Sequence, residues 1–306
     1  MDMDMDNNNN SNKKLAHLLM IFLVFAWGFD YVPAKWGLAI LSPFGLLFWK
    51  YIIGLLAIAV IMFIRHKRLM FHLRDLPIFF ICALFGEVLY YGCEYAAMDY
   101  MPVSIITIIL GFVPIISIVV ERIIYKRKAN RIIIISIIFC VIGVILVIGA
   151  DFGSLFQGSA LGYAFAIGAV FSWNIFNFIT SSLGRYDVFS LSFTQIACSL
   201  IITAPIALRE MPALSEFEGT VIIGIVWIGV VNSGIGFMLY AFGLLRLGPT
   251  TAALYSDFLP VTTTFFGAIF LKESITVLQI IGGIVVIAAA FVAIKEKGKL
   301  DEMRLE

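Results

Sequence analysis

Ten apolar runs, each about 20 residues long and so enough to cross a ~30 Å hydrocarbon core as a helix, follow one another along this chain. They lie at 15–38, 43–64, 76–99, 102–125, 131–149, 158–183, 188–208, 219–245, 249–271 and 277–295. Inside lipid no water can satisfy a stray N–H or C=O, so each run must pair its own backbone as a helix. The expected fold class is therefore all-α, a polytopic membrane protein with ten transmembrane helices. Composition agrees: only 13% of residues are charged, against about 25% in soluble domains. That is too few to cover a water-facing surface.

Polar punctuation separates the runs. Ser42-Pro43, Gly153-Ser154 and Gly248-Pro249 mark turns. Residues 1–14, acidic and Asn-rich, are expected to form a disordered N-terminal segment, and 297–306 a short tail. The start has neither a basic opening nor a small-residue cleavage site, so the first run is expected to remain as a span.

Lysine and arginine orient the helices, because cytoplasmic loops retain positive charge. With the N-terminus inside, inner segments hold 17 of the 21 basic residues, including Arg65, Lys67, Arg68, Lys126 and Lys295. Only Arg209 and Lys272 fall in outer loops, while Lys35 and Lys50 lie within spans. Both termini are expected in the cytoplasm of a prokaryotic plasma membrane.

The chain also repeats itself. Shifted by 146 residues, Phe25-Ala26-Trp27 meets Phe171-Ser172-Trp173, Phe112-Val113-Pro114 meets Phe258-Leu259-Pro260, and Lys126 meets Lys272. With one residue of slip, Pro102-Val103-Ser104 meets Pro249-Thr250-Thr251. The repeats span 15–149 and 158–296, each with five helices. Five is odd, so the second copy enters the membrane from the opposite side. Inverted repeats of this kind are a common plan of secondary transporters, because two similar antiparallel halves give inward-open and outward-open states of comparable energy.

These residues resemble a known family. Phe25-Ala26-Trp27-Gly28 with Lys35, Ala97-Met98-Asp99-Tyr100-Met101-Pro102-Val103-Ser104, Leu259-Pro260, and Leu271-Lys272-Glu273-Ser274-Ile275-Thr276 look like paired EamA domains of the drug/metabolite transporter superfamily. The first repeat departs from the pattern: it reads Lys126-Arg127 where the second reads Lys272-Glu273, and its acid, Glu121, stands earlier. The resemblance implies ten helices, cytoplasmic termini and movement of metabolites. It does not fix a substrate.

An ionisable group in mid-membrane is costly and should face a cavity or a partner. Trp27, Asp30 and Tyr31 share a face of the first helix, and Glu87, Tyr90, Tyr91 and Glu94 share one in the third. The ninth carries Asp257, whose repeat mate is Gly111. The sixth offers Trp173, Asn174 and Asn177, and the eighth Asn232 and Tyr240. One reading lines a central chamber with these groups. The acids would then hold a cationic amine, aided by aromatic faces, or one carboxylate would carry a coupled proton. The other reading is structural: the acids neutralise Lys35 or Lys50, and the amides join helices. Pro114 and Pro260, repeat mates in mid-helix, suit paired hinges or static kinks. The fifth and tenth helices carry almost no polar residues and are expected at the periphery, or at a homodimer contact.

The expected function is secondary transport of a small polar metabolite, with the lipid bilayer as the other partner and, at a net charge of +1, no nucleic acid. No GxxxxGK[ST] loop occurs, so no ATP site is expected. Cys82, Cys93, Cys140 and Cys198 have no metal or disulfide spacing, and no cofactor is expected. A lipid or lipid-linked sugar flippase is the alternative. An intramembrane enzyme is disfavoured, because His17, His66 and His72 all lie at membrane edges.

Overall fold

A computed structural model describes residues 2–101, 103–126, 130–148, 159–270 and 275–302. The linker at 149–158 and Leu271-Lys272-Glu273-Ser274 of the family-like string lie outside the described residues, as does the side chain of Tyr31. The helices run α1 (Asp2–Phe29), α2 (Tyr31–Leu38), α3 (Pro43–Ile64), α4 (Leu76–Ala83), α5 (Tyr90–Met98), α6 (Val103–Leu110), α7 (Val113–Tyr125), α8 (Arg131–Ile148), α9 (Ala160–Ser182), α10 (Val188–Ala207), α11 (Gly219–Trp227), α12 (Phe237–Leu247), α13 (Pro249–Ser256), α14 (Leu259–Phe270) and α15 (Val277–Glu302). Among the described residues there is no strand. Helix α1 begins at Asp2, inside the segment expected to be disordered.

Among the described residues, seven helical stretches are long and apolar enough to cross a bilayer, and Arg131–Val147 is a shorter apolar helix. Ten continuous spans are thus not shown among the described residues. The expected fourth and ninth spans are each broken, at Gly111-Phe112 and at Asp257-Phe258. Proline supplies the cause. Pro114 has no N–H for the Leu110 carbonyl and Pro260 none for that of Ser256, so each helix stops and restarts with its proline in the first turn. The breaks are repeat mates. Pro33 acts likewise in the first span, which is interrupted at Asp30.

A second paired irregularity lies in the third and eighth spans. Residues Leu84–Leu89 and Ile228–Gly236 are wound as π-helix, and shifting the first by 146 places it within the second. Such widening often marks functional positions, because it frees carbonyls from the helical ladder.

The chain divides into two compact units, each drawing on both repeats: residues 1–92 with 175–246, and 93–174 with 247–306. In the first, α3 lies against the π-wound 228–236 segment at backbone range. A Cβ on Gly54 would stand 3.2 Å from the Gly229 carbonyl, so glycine is required for that approach. One end of this unit is closed by polar contacts. Tyr186 donates to the carboxylate of Asp75, Arg185 pairs with the same group at 2.7 Å, and the Met70 N–H donates to the Ser190 hydroxyl at 3.0 Å. The Asp75 hydrogen bond raises the Arg185 pKa above its ordinary value. An apolar cluster of Leu41, Leu46, Val221, Ile225 and Ile228, with Trp49 and Phe217 packed on it, occupies another part of the same unit.

In the second unit α8 and α15 lie side by side. A Cβ on Gly143 would meet the Gly282 carbonyl at 2.9 Å, and one on Gly282 would meet the Gly143 carbonyl at 2.7 Å. These are the expected fifth and tenth spans. They do not face lipid all round: one face of each is taken by the other, while Ile135, Phe139, Ile280 and Ile284 point outward.

Candidate functional site

The first unit gathers charged and polar side chains in an apolar body. Lys50, from the middle of α3, is 1% exposed, and its Nζ lies 3.7 Å from a carboxylate oxygen of Glu87, which is 0% exposed. The same ammonium stands 3.5 Å from the centroid of the Tyr91 ring and 5.7 Å from that of Phe237. Glu87 sits in the π-wound stretch, and its backbone carbonyl accepts from the Tyr51 hydroxyl at 3.1 Å. Beyond the ion pair, neither carboxylate oxygen of Glu87 has a hydrogen-bond partner among the described residues. A close charge-assisted pair would stand at about 2.7–2.9 Å, so this one is loose.

Asp30 occupies the break between α1 and α2 and is buried. It accepts from the indole of Trp227 at 2.8 Å and from the amide of Asn232. The Asn232 carbonyl oxygen in turn faces the Tyr91 hydroxyl at 3.5 Å. A chain of polar contacts therefore runs from Asp30 through Asn232 and Tyr91 to Lys50 and Glu87.

Aromatic rings adjoin it. Trp27 lies 5.2 Å from Tyr240 and 6.1 Å from Phe237, centroid to centroid, and Phe176 stacks on Tyr240 at 6.5 Å. The Tyr240 hydroxyl donates to Asn177 at 2.8 Å, leaving the Asn177 amide nitrogen buried without a partner among the described residues. Ser233, in the second π-wound stretch, is also buried, its hydroxyl without a hydrogen-bond partner among the described residues. Buried polar groups are nearly always paired, so such exceptions call for a functional or structural reason.

Of the residues expected from sequence, Trp27, Asp30, Glu87, Tyr91, Asn177, Asn232 and Tyr240 come together in this unit. Tyr90 adjoins at 4.9 Å from the Tyr91 ring and is half-buried. Glu94, Trp173, Asn174 and Asp257 belong to the second unit and are all buried. There Asn174 donates to the Val113 carbonyl at 3.2 Å and to Val170 at 2.9 Å, holding the restart of α7. Pro114 and Pro260 are buried at the two breaks. Lys50, Tyr51, Trp227, Phe176 and Phe237 complete the arrangement without having been proposed as site residues. Lys50 was signalled by its charge in mid-span; the others carry no sequence mark that separates them from ordinary membrane aromatics.

No group of three or more metal-ligating side chains converges among the described residues. The arrangement offers one cation, two carboxylates, two amides and a wall of rings, which suits non-covalent binding of a small charged or zwitterionic molecule.

The profile of the EamA-like transporter family matches residues 14–149 and again 160–295. An uncharacterized transporter of Bacillus subtilis, YvbV, is 25% identical over 95% of this chain and 94% of its own length. A protein of Salmonella typhimurium named as a probable amino-acid metabolite efflux pump is 24% identical over 90% of this chain and 93% of its own. One crystal structure shares the fold at a TM-score of 0.78, with 16% identity over 91% of this chain and 97% of that one.

Proposed function

This chain belongs to the EamA-like transporter family, within the drug/metabolite transporter superfamily, and on that premise we propose that it is a secondary active transporter moving a small polar metabolite, an amine, amino acid or related solute, by alternating access. One observation carries this reading: Lys50 and Glu87, closed to solvent in an apolar body, form a loose 3.7 Å pair, and neither carboxylate oxygen has a hydrogen-bond partner beyond it among the described residues. A purely structural pair gains most when it is close and fully hydrogen-bonded. A binding site must instead let the solute replace the internal partner.

In this reading Lys50 receives an anionic group, Glu87 and Asp30 a cationic one, and Tyr91, Trp27 and Tyr240 cover the solute with ring faces. Selectivity follows from desolvation: a solute that leaves a buried charge unmatched loses several kcal/mol. Transport draws on a gradient or on exchange. The basic residues of the inner loops support cytoplasmic termini.

A thermal-shift screen of the purified protein against amines, amino acids, sugars and nucleotides tests the proposal. One class should raise the melting temperature, and Glu87→Gln should weaken its apparent affinity at least tenfold, measured from the variant's own unliganded baseline. A shift of equal affinity in both proteins contradicts the site. Stabilisation by lipid-linked sugars alone, with movement of labelled lipid between leaflets, contradicts the solute.

A further inference from the structure

Asp257 fills the break between α13 and α14 in the second unit. It is 1% exposed, and neither carboxylate oxygen meets an N–H or O–H donor among the described residues. The ionisable neighbour that acts on it is the thiol of Cys140 on α8, which lies 3.9 Å from the Val286 carbonyl of α15. Around Cys140 pack Ala289 and Ala290 of α15 and Phe258, all without charge. On its own element the nearest titratable group is Tyr255, and α7 contributes the Ser117 hydroxyl, bonded to Thr250 at 3.2 Å. Nothing cationic acts on Asp257 among the described residues.

The same unit shows what a structural acid looks like. Glu121, also buried, meets the ammonium of Lys297 at 2.9 Å, and Lys297 reaches Asp301 at 3.1 Å. Asp257 has no such provision. An ionised carboxylate so enclosed costs several kcal/mol, and a proton is the smallest thing that removes the charge. A metal ion would need further ligands, and no cluster of three or more His, Cys, Asp or Glu side chains exists among the described residues. The position adds a second argument. Pro260 leaves the Ser256 carbonyl without an intrahelical donor, and membrane transporters place ion sites where a helix is interrupted. The mate of Asp257 at the other break is Gly111, so only one of the two breaks carries an acid.

We propose that Asp257 is a proton-binding site that ties solute movement to the proton gradient. The carboxylate takes one proton from water on one side of the membrane, forming an O–H bond as the break is enclosed. It returns that proton to water on the other side. No other bond changes and nothing is oxidised or reduced. This deepens the transport reading by naming the coupled ion.

Infrared difference spectroscopy of the full-length protein in lipid, stepped through pH, needs no solute. The wild type should show a carboxylic C=O band that titrates. The band should be lost in Asp257→Asn and retained, but shifted, in Asp257→Glu, which also serves as the folded reference should the amide variant fail to purify. Identical pH-difference spectra in wild type and both variants overturn the site, as does loss of the band on adding sodium at constant pH. In proteoliposomes, a pH gradient should speed flux of the stabilising solute through wild type and not through Asp257→Asn; equal acceleration overturns the coupling. Flux without a titrating Asp257 counts against the proton site alone, whereas a titrating Asp257 without flux counts against the transport reading alone.

Discussion

The ammonium of Lys50 lies 3.7 Å from the Glu87 carboxylate and 3.5 Å above the Tyr91 ring, with both charged side chains at 1% exposure or less. The ring face lowers the cost of holding a cation in an apolar body, by about 2 kcal/mol or more where water is excluded. The carboxylate supplies the opposite charge. Either charge alone would be stranded. Lys50→Met or Glu87→Gln should therefore destabilise the protein by about 3–5 kcal/mol. The pair Lys50→Met with Glu87→Leu should recover most of that loss, because both charges go together. Thermal unfolding of the four proteins measures this; a double variant no more stable than the singles would contradict the pairing.

Glycine sets the α8–α15 contact. Gly143 and Gly282 each stand where a Cβ would come within 3.0 Å of the opposing backbone. Backbone cannot yield as a flexible side chain can, so Gly282→Val should cost about 1–3 kcal/mol through overpacking. The outward-facing Ile284→Val, 62% exposed, should change little. Melting temperatures of the two variants side by side decide the point, and equal losses would remove the close contact.

Tyr186 ties two linkers of the first unit together. Its hydroxyl donates to Asp75, accepts from the His72 N–H at 3.2 Å, and lies beside Arg185, which pairs with the same carboxylate. Tyr186→Phe removes the hydroxyl and keeps the ring packed on Phe79 at 5.2 Å. The expected loss is about 1–2 kcal/mol, the worth of one or two hydrogen bonds with a charged partner. Limited proteolysis within 65–75 should speed up accordingly, whereas unchanged cleavage would contradict the tie.

Much of this was legible in the chain. Apolar runs and their period announce helices, since lipid leaves the backbone no other way to pair. The 146-residue shift pointed to the paired prolines, Pro114 and Pro260, and both stand at helix restarts. What the run of apolar residues hides is where a helix stops inside the membrane. Both breaks fall inside apolar runs, and a proline there reads equally as a hinge, a kink or a stop, so ten spans were expected with Pro114 and Pro260 as hinges or kinks in mid-helix. The π-wound stretches were invisible for a similar reason: a change from i→i+4 to i→i+5 hydrogen bonding leaves composition untouched. Lys50 was read as a charge needing a partner, and Glu87 proved to be that partner. Asp30 looked like a neutraliser of lysine and is held instead by Trp227 and Asn232, groups contributed from about 200 positions away in the chain. Only folding brings such pairs together. Spacing along one helix could not reveal them.

The antiparallel arrangement of the repeats has its own check. In a cysteine-free background, Lys126→Cys and Lys272→Cys should react with an impermeant thiol reagent from opposite faces of the membrane, Lys126→Cys from the cytoplasm. Labelling of both from one side would contradict the inverted plan.

Transport through the Lys50–Glu87 region is tested most directly by flux in proteoliposomes without ATP. Wild-type protein should equilibrate the labelled amine or amino acid that stabilises it in thermal shift, and the Lys50→Met, Glu87→Leu double variant, folded and inserted, should move at least tenfold less. Equal flux through both proteins would contradict the account.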